Sequence, residues 1–321
     1  MIFRFSNKRI GCILAAAALA SSFPISTASA AGEKIVASFH NLAEPFFVFM
    51  NKEIKDEAKK LDVNVSVLDG QSNSPKQTAD VENAITQGVA GIILAPTDAK
   101  ALAPAVDDAI AAGIPLVTVD RRVEGTTAPA PHVGADNVAG GRKMAEQVIK
   151  QFPKGANVVF LLGQPGSSSA IDRAKGVHDA LAAAGPQYKI VAEQTANWAR
   201  DQGLTVTQNI LTSLTAAPPN AIIASNDDMA LGATEAVASA GLQKSGIVVI
   251  GFDATPDALK KVKDGEMLAT VEQDPGRQIR TALRALVDSI RNKKPIESVA
   301  VEPVVITAGN LSAAARFSEL K

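Results

Sequence analysis

The chain has one cysteine, Cys12, one tryptophan, one tyrosine and three histidines among its 321 residues. A lone cysteine excludes an internal disulfide framework and a thiolate metal cluster. His40, His132 and His178 are far apart and have no ligand-like spacing, so no metal is expected, and no cofactor-binding signature accompanies them. Aromatic residues make up only 4% of the chain, which makes each of them informative. There is no block of like charge, and the formal net charge is −1. A nucleic-acid binder or a protein that sits on an anionic membrane would need a basic face, and this composition does not supply one.

What the chain does have begins with a processing pattern over residues 1–30. Arg4, Lys8 and Arg9 form a basic start, Ile10 to Phe23 is an apolar stretch, and Ala28-Ser29-Ala30 is a small-residue cleavage site. The apolar stretch is shorter than the roughly 20 residues a spanning helix needs. Cys12 lies before its apolar core, where a lipid-anchor cysteine would follow it, so Cys12 is expected to leave with the leader. Discounting the three basic residues takes the formal charge from −1 to −4. The remaining chain of about 290 residues exceeds what a single hydrophobic core normally uses, so two domains are expected.

From Lys34 onward strands and helices alternate. KIVASF, VNVSVLD, GIILAP and PLVTVD read as strands, separated by helices over about 45–61, 75–88 and 99–112. HVGADNVAGG changes the register and leads into a helix over about 139–150. A second series follows: strands ANVVFLLG, YKIVAEQT, AIIAS and GIVVIGFD, with helices over about 169–184, 200–214 and 229–240. A last amphipathic helix, with Ile279, Leu283, Leu286, Val287 and Ile290 at helical spacing, runs to about 292. Such spacing predicts α/β lobes with parallel sheets, two of them similar in architecture, with a cleft between.

Short apolar runs end in residues able to read hydroxyls or stack on rings. PLVTV ends at Asp120-Arg121, AIIAS at Asn226-Asp227, IVVIG at Phe252-Asp253 and LATVE at Gln273, while Phe46-Phe47 follows the first strand. All of these runs but LATVE are expected to lead into a helix. In open α/β sheets ligands bind at the carboxyl ends of the strands. Carboxylates, guanidinium, amides and aromatic faces together suit an uncharged polyhydroxyl ring better than they suit catalysis.

At these residues, and across EPFFVFM, APTD, VTVDRR, VGADNVAGG, SNDDMALGA and IGFDATPD, the chain resembles the ribose-type family of periplasmic sugar-binding proteins. Within it, HVGADNVAGG, PGSSSAIDRAKGVHD, EQTANW, LTVTQNILTS and VEQDPG with QIRTALR resemble the myo-inositol-binding proteins of ABC importers. The resemblance implies a type I periplasmic binding protein fold: two Rossmann-like lobes joined by a three-crossing hinge. The crossings would fall near 133–135, 273 and 302. One lobe would take residues 31–134 and 274–302, the other 135–273 and 303–321. It implies that Phe46 and Phe47 stack on the ligand, opposed by Trp198, and that Asp120, Arg121, Asn226, Asp253 and Gln273 bind hydroxyls with Phe252 lining the pocket. A soluble periplasmic monomer follows, delivering a sugar or polyol to a permease, with a chemoreceptor as a further partner.

The chain departs from that family in two places. Glu44 stands where ribose binders have an asparagine before Pro-Phe-Phe, and is a candidate ligand residue. Ile171 stands where they have an arginine on the first helix of the second lobe. Arg173 is two positions on, about 200° round a helix, and is expected to point elsewhere. That reading replaces an arginine with an apolar wall and argues against ribose.

Each of these residues also has a purely structural reading. Asp120-Arg121 could be an ion pair at a strand end, and Phe46 and Phe47 simple packing. Asn226 could cap the helix that follows it. The turn GQPGSSSA lacks the lysine of a nucleotide loop and reads as a helix start with one serine near the ligand. No nucleophile elbow or paired histidine base is present, so an enzyme is not expected, and Asp120 beside Arg121 should stay ionised.

Overall fold

The computed structural model describes residues 1–3 and 32–320. The leader and Cys12 lie outside the described residues. Residues 32–320 form one compact unit.

The first half places β1 (Lys34–Phe39), α1 (Pro45–Leu61), β2 (Asn64–Asp69), α2 (Ser74–Thr86), β3 (Gly91–Leu94), α3 (Ala103–Ala111), β4 (Leu116–Val119) and β5 (His132–Ala135) in order. The second continues with α4 (Asn137–Gln151), β6 (Ala156–Leu162), α5 (Ser168–Ala184), β7 (Tyr188–Thr195), α6 (Arg200–Ser213), β8 (Ala221–Ala224), α7 (Asp227–Ser239), β9 (Val248–Ile250) and α8 (Pro256–Lys263). β10 (Thr270–Glu272), α9 (Pro275–Asn292), β11 (Val299–Val301) and β12 (Val304–Ile306) complete the chain before two short 3-10 turns.

Two parallel sheets organise these elements. One has the order β11-β5-β4-β3-β1-β2 and the other β7-β6-β8-β9, while β10 and β12 pair antiparallel. The chain passes between the two lobes three times: from β5 into α4, from β10 into α9, and from β11 into β12.

Helices cover both faces of each sheet, as buried parallel strands require. On one face of the first sheet, Phe39, Phe47, Met50 and Ile54 pack against Ile279, Leu283 and Leu286 of α9. The apolar stripe of α9 is therefore core, and truncating Leu283 to alanine would cost about 2–5 kcal/mol. On the other face Val81, Leu102 and Val106 pack against Ile92 and Leu94. In the second lobe α4 and α5 bury Met144, Val148, Val177 and Leu181 against Phe160, and α6 and α7 bury Ile210, Leu211 and Met229 against Ile222. α4 and α5 approach so closely that a Cβ on Gly141 would meet the carbonyl oxygen of Arg173 at 2.1 Å.

Some local expectations are corrected. No helix follows β4; a loop from Asp120 to Pro131 leads to β5. α3 starts at Ala103 rather than near 99, because the Asp98 carboxylate accepts hydrogen bonds from the amides of Lys100 and Ala101 and holds a turn there. α8 is the helix expected after IVVIG, and Thr255 caps it by accepting from the amide of Ala258.

Candidate functional site

A cavity of about 260 Å3 lies between the lobes, lined by residues from the carboxyl ends of strands in both sheets. Glu44, Phe46, Phe47, Asp120, Arg121, Trp198, Asn226, Asp253 and Gln273 all line it, as do Ser169 and Arg173.

Each wall is fixed by its backbone element. Pro45 opens α1, so Phe46 and Phe47 project from its first turn; their rings meet edge to face at 5.1 Å. Asp120, Trp198 and Asp253 all have positive φ, at 62°, 67° and 115°. Non-glycine residues seldom adopt this conformation, and it turns these side chains out of the strand direction. Gly163 is needed beneath Trp198, since a Cβ there would come within 2.1 Å of the indole.

Arg121 lies between aromatic rings of the two lobes, its guanidinium carbon 5.5 Å from the centroids of both Phe47 and Trp198. Its Nε is 3.5 Å from Asp120, and Glu44 is 3.9 Å from Nη2. Nε and Nη1 of Arg121 and Nε1 of Trp198 are buried with no hydrogen-bond partner among the described residues. Such donors are costly to leave unmet.

The acids are held in a low-dielectric place. Burial pushes Asp120 above the usual carboxylate range, although Arg121 and Arg173 pull it back. Burial raises Asp253 as well, against the pull of Arg173. For Asp120, desolvation outweighs its arginine neighbours. Glu44 is pushed up to about 7 by burial, opposed by Arg121. His40, held by Thr97 at 3.1 Å and facing Glu44 at 3.1 Å, is driven down to about 2 by burial and by Arg121, and is therefore neutral.

Asn226 and Gln273 have structural work as well. The Asn226 side-chain oxygen caps α7 by accepting from the amide of Met229, and its nitrogen donates to the carbonyl oxygen of Trp198. Gln273 donates to Asp253 at 2.6 Å and accepts from Gln278. Phe252 is fully buried and does not line the cavity. It packs behind it, under Arg173.

The largest correction concerns α5. Ile171 is 52% exposed and forms no pocket wall. Arg173 enters the cavity instead, its Nε donating to Asn137 and its Nη1 to the carbonyl oxygen of Ser225. The sequence carried a signal for this: Ser169 and Arg173 are four apart and share a helix face.

Further contacts tie the lobes together beside the cavity. Arg122, after β4, forms a two-pronged ion pair with Asp172 of α5, and its amide donates to the Ser168 hydroxyl at 2.9 Å. The Ala99 amide donates to the carbonyl oxygen of Gly166 at 2.9 Å. The lobes are closed on each other.

Comparison with known proteins agrees with this geometry. A family model described as a periplasmic binding protein domain matches residues 35–294. The crystal structure of a Caulobacter myo-inositol binding protein bound to myo-inositol is 57% identical, with a TM-score of 0.88 over 89% of this chain and 97% of that one. A Bacillus halodurans solute binding protein with bound myo-inositol is 29% identical, with a TM-score of 0.83 over 89% of this chain and 98% of that one. The ribose import binding protein of Bacillus subtilis (strain 168) is 41% identical over 257 residues, 80% of this chain and 81% of that protein.

Proposed function

The chain belongs to the periplasmic binding protein family, and from that premise we propose that it captures a cyclic polyol, myo-inositol, for an ABC importer. It is a binding protein, not an enzyme. Export through the leader over residues 1–30 would place it in the periplasm as a monomer, where its closed form would dock on permease subunits. The body of residues 32–134 with 274–302 would move against the rest of the chain about the three crossings, by hinge closure.

The observation that carries this reading is the small interlobe cavity whose buried donors, on Arg121 and Trp198, lack partners among the described residues. Phe46 and Phe47 would cover one face of the ring and Trp198 the other, where C–H bonds pack on aromatic surfaces. Arg121 and Arg173 would donate to hydroxyls, and Asp120 and Asp253 would accept from them. Asn226 and Gln273 would act largely by fixing Trp198 and Asp253. The similarity to the Caulobacter protein favours myo-inositol over other rings.

Ribose is the second reading, and a specific observation supports it: Arg173 fills the role that Ile171 was expected to have lost. Melting the protein against sugars and polyols separates the two. At about 100 times its dissociation constant, a ligand adds roughly 2.7 kcal/mol, several degrees for a chain of this size. A shift with myo-inositol and none with ribose supports the proposal. A shift with ribose alone replaces its ligand, and no shift with any polyol ends it.

A further inference from the structure

A polar side chain buried on α9 stands just outside the ring-binding cavity. Gln278 is 0% exposed and does not line the cavity. The next residue, Ile279, packs into the core of the first lobe. Burying an amide is costly unless its groups find partners, and a methionine would fill similar space without that cost. The amide therefore calls for a polar role.

The turn into α9 brings that amide to Gln273. Asp274 takes a left-handed φ of 50° and accepts from the Arg277 amide, and Pro275 opens the helix, so its first turn returns Gln278 to Gln273. Gln278 directs its Nε2 at one residue twice. It donates to the Gln273 carbonyl oxygen at 2.8 Å and to Gln273 Oε1 at 3.1 Å. The opposite orientation would set an oxygen against two oxygens. The arrangement therefore holds although Oε1 of Gln278 is left without a partner among the described residues. With its Oε1 occupied and its side chain pinned to its own main chain, Gln273 turns its Nε2 to Asp253 and donates to Oδ1 at 2.6 Å.

That is the single side-chain hydrogen bond that the Asp253 carboxylate receives among the described residues. Burial pushes Asp253 up, and Arg173 and the Gln273 hydrogen bond pull it back toward the charged form. Only the charged form is an acceptor at both oxygens. A Gln273 amide free to turn over would present its carbonyl oxygen to the carboxylate and repel it.

We infer that Gln278 is a positioning residue for ligand binding: from the first lobe it orients the Gln273 amide at the crossing, which holds the Asp253 carboxylate of the second lobe as an acceptor. This rests on the reading of the cavity as a polyol site in which Asp253 accepts from hydroxyls.

A double-mutant cycle tests it, by calorimetric titration with whichever of myo-inositol and ribose the parent binds. Gln278→Met removes the donors and keeps the bulk, and should weaken binding about tenfold, near the low end for a hydrogen bond to a charged group. In the Gln273→Met background the same substitution should change affinity by less than about twofold, because the residue it acts through is gone. A packing role would give equal losses in both backgrounds. Equal losses, or no loss in Gln278→Met, overturn the inference. A second readout needs no folded variant. In the ligand-bound parent with nitrogen-labelled glutamine, one side-chain amide proton of Gln273 should resonate downfield and exchange slowly with solvent. Exchange as fast as that of an exposed glutamine overturns the inference too. A parent that binds neither ligand sinks the polyol reading itself, which is a different result from a parent that binds and shows equal losses.

Discussion

The guanidinium carbon of Arg173 lies 3.7 Å from the centre of the Phe252 ring. That contact joins a helix of one βα unit to the strand end of another, and it sets the floor of the cavity. The flat cation lies on the flat ring, its Nε and Nη1 tied to Asn137 and Ser225. The arginine is therefore oriented before any ligand arrives, so little entropy remains to be lost on binding.

Replacing Arg173 with methionine keeps much of its bulk while removing its charge and donors. Myo-inositol affinity should fall about 10- to 100-fold, the range for a lost hydrogen bond to a charged group. Ile171→Ala should leave it within about twofold. Titration calorimetry of both variants, with their melting points as controls, checks the assignment. Equal losses would return Ile171 to the site.

Trp198→Phe removes the indole N–H and keeps an aromatic wall. One neutral hydrogen bond is worth about 0.5–1.5 kcal/mol, so a loss of roughly 2- to 12-fold is expected. Gly163→Ala should weaken binding by at least as much, through the crowding of its Cβ against the indole. If both variants bind as well as the parent, the indole is packing alone.

The Arg122–Asp172 pair spans the cleft without touching the cavity. The side chain of Arg122 is 36% exposed, so the pair should contribute only about 0.2–1 kcal/mol. Arg122→Ala should speed ligand release up to about fivefold, seen by stopped-flow. Small-angle scattering without ligand should show a larger radius of gyration than the parent. An unchanged release rate would remove the pair from the closing mechanism.

Asp228 predicts a pH dependence of stability. Burial, the charge of Glu44 and that of Asp257 raise it from 3.8 to about 6, against the pull of Arg200. Below about pH 4 the folded and unfolded chains both hold the proton. Between about 4 and 6 the unfolded chain loses it while the folded chain keeps it, so stability falls as pH rises, and above 6 the loss is complete. Its size is on the order of 3 kcal/mol. Asp228→Asn escapes this loss, so its melting point relative to the parent should climb from pH 4 to 6.5 and then level off. A difference that is flat with pH would show that Asp228 titrates normally.

Much of the fold was legible because each lobe repeats one pattern. Runs such as GIIL and AIIA are buried on both faces, and α9 places an apolar residue every three or four positions. Both signals survive without knowledge of the neighbours. α8 gave only a weak helical signal because it is only eight residues long and three of them are lysine. The helix expected after β4 failed because Asp120 turns left-handed there and the chain runs on through a loop to β5.

The sequence by itself determined the alternation of strand and helix, the two lobes, and the residue types gathered at the strand ends, because hydrophobic period and turn chemistry are local. Only the tertiary structure decided which of those residues face the cavity. It seated Arg173 and left Ile171 outside, set Phe252 behind the wall, and engaged Asn226 and Gln273 with protein partners. It also set Glu44 and Asp228 in one space at the mouth of the cleft. These outcomes depend on the close approach of α4 to α5 at Gly141, on three residues held at positive φ, and on the closure of one lobe against the other. None of these is a property of any single stretch of chain.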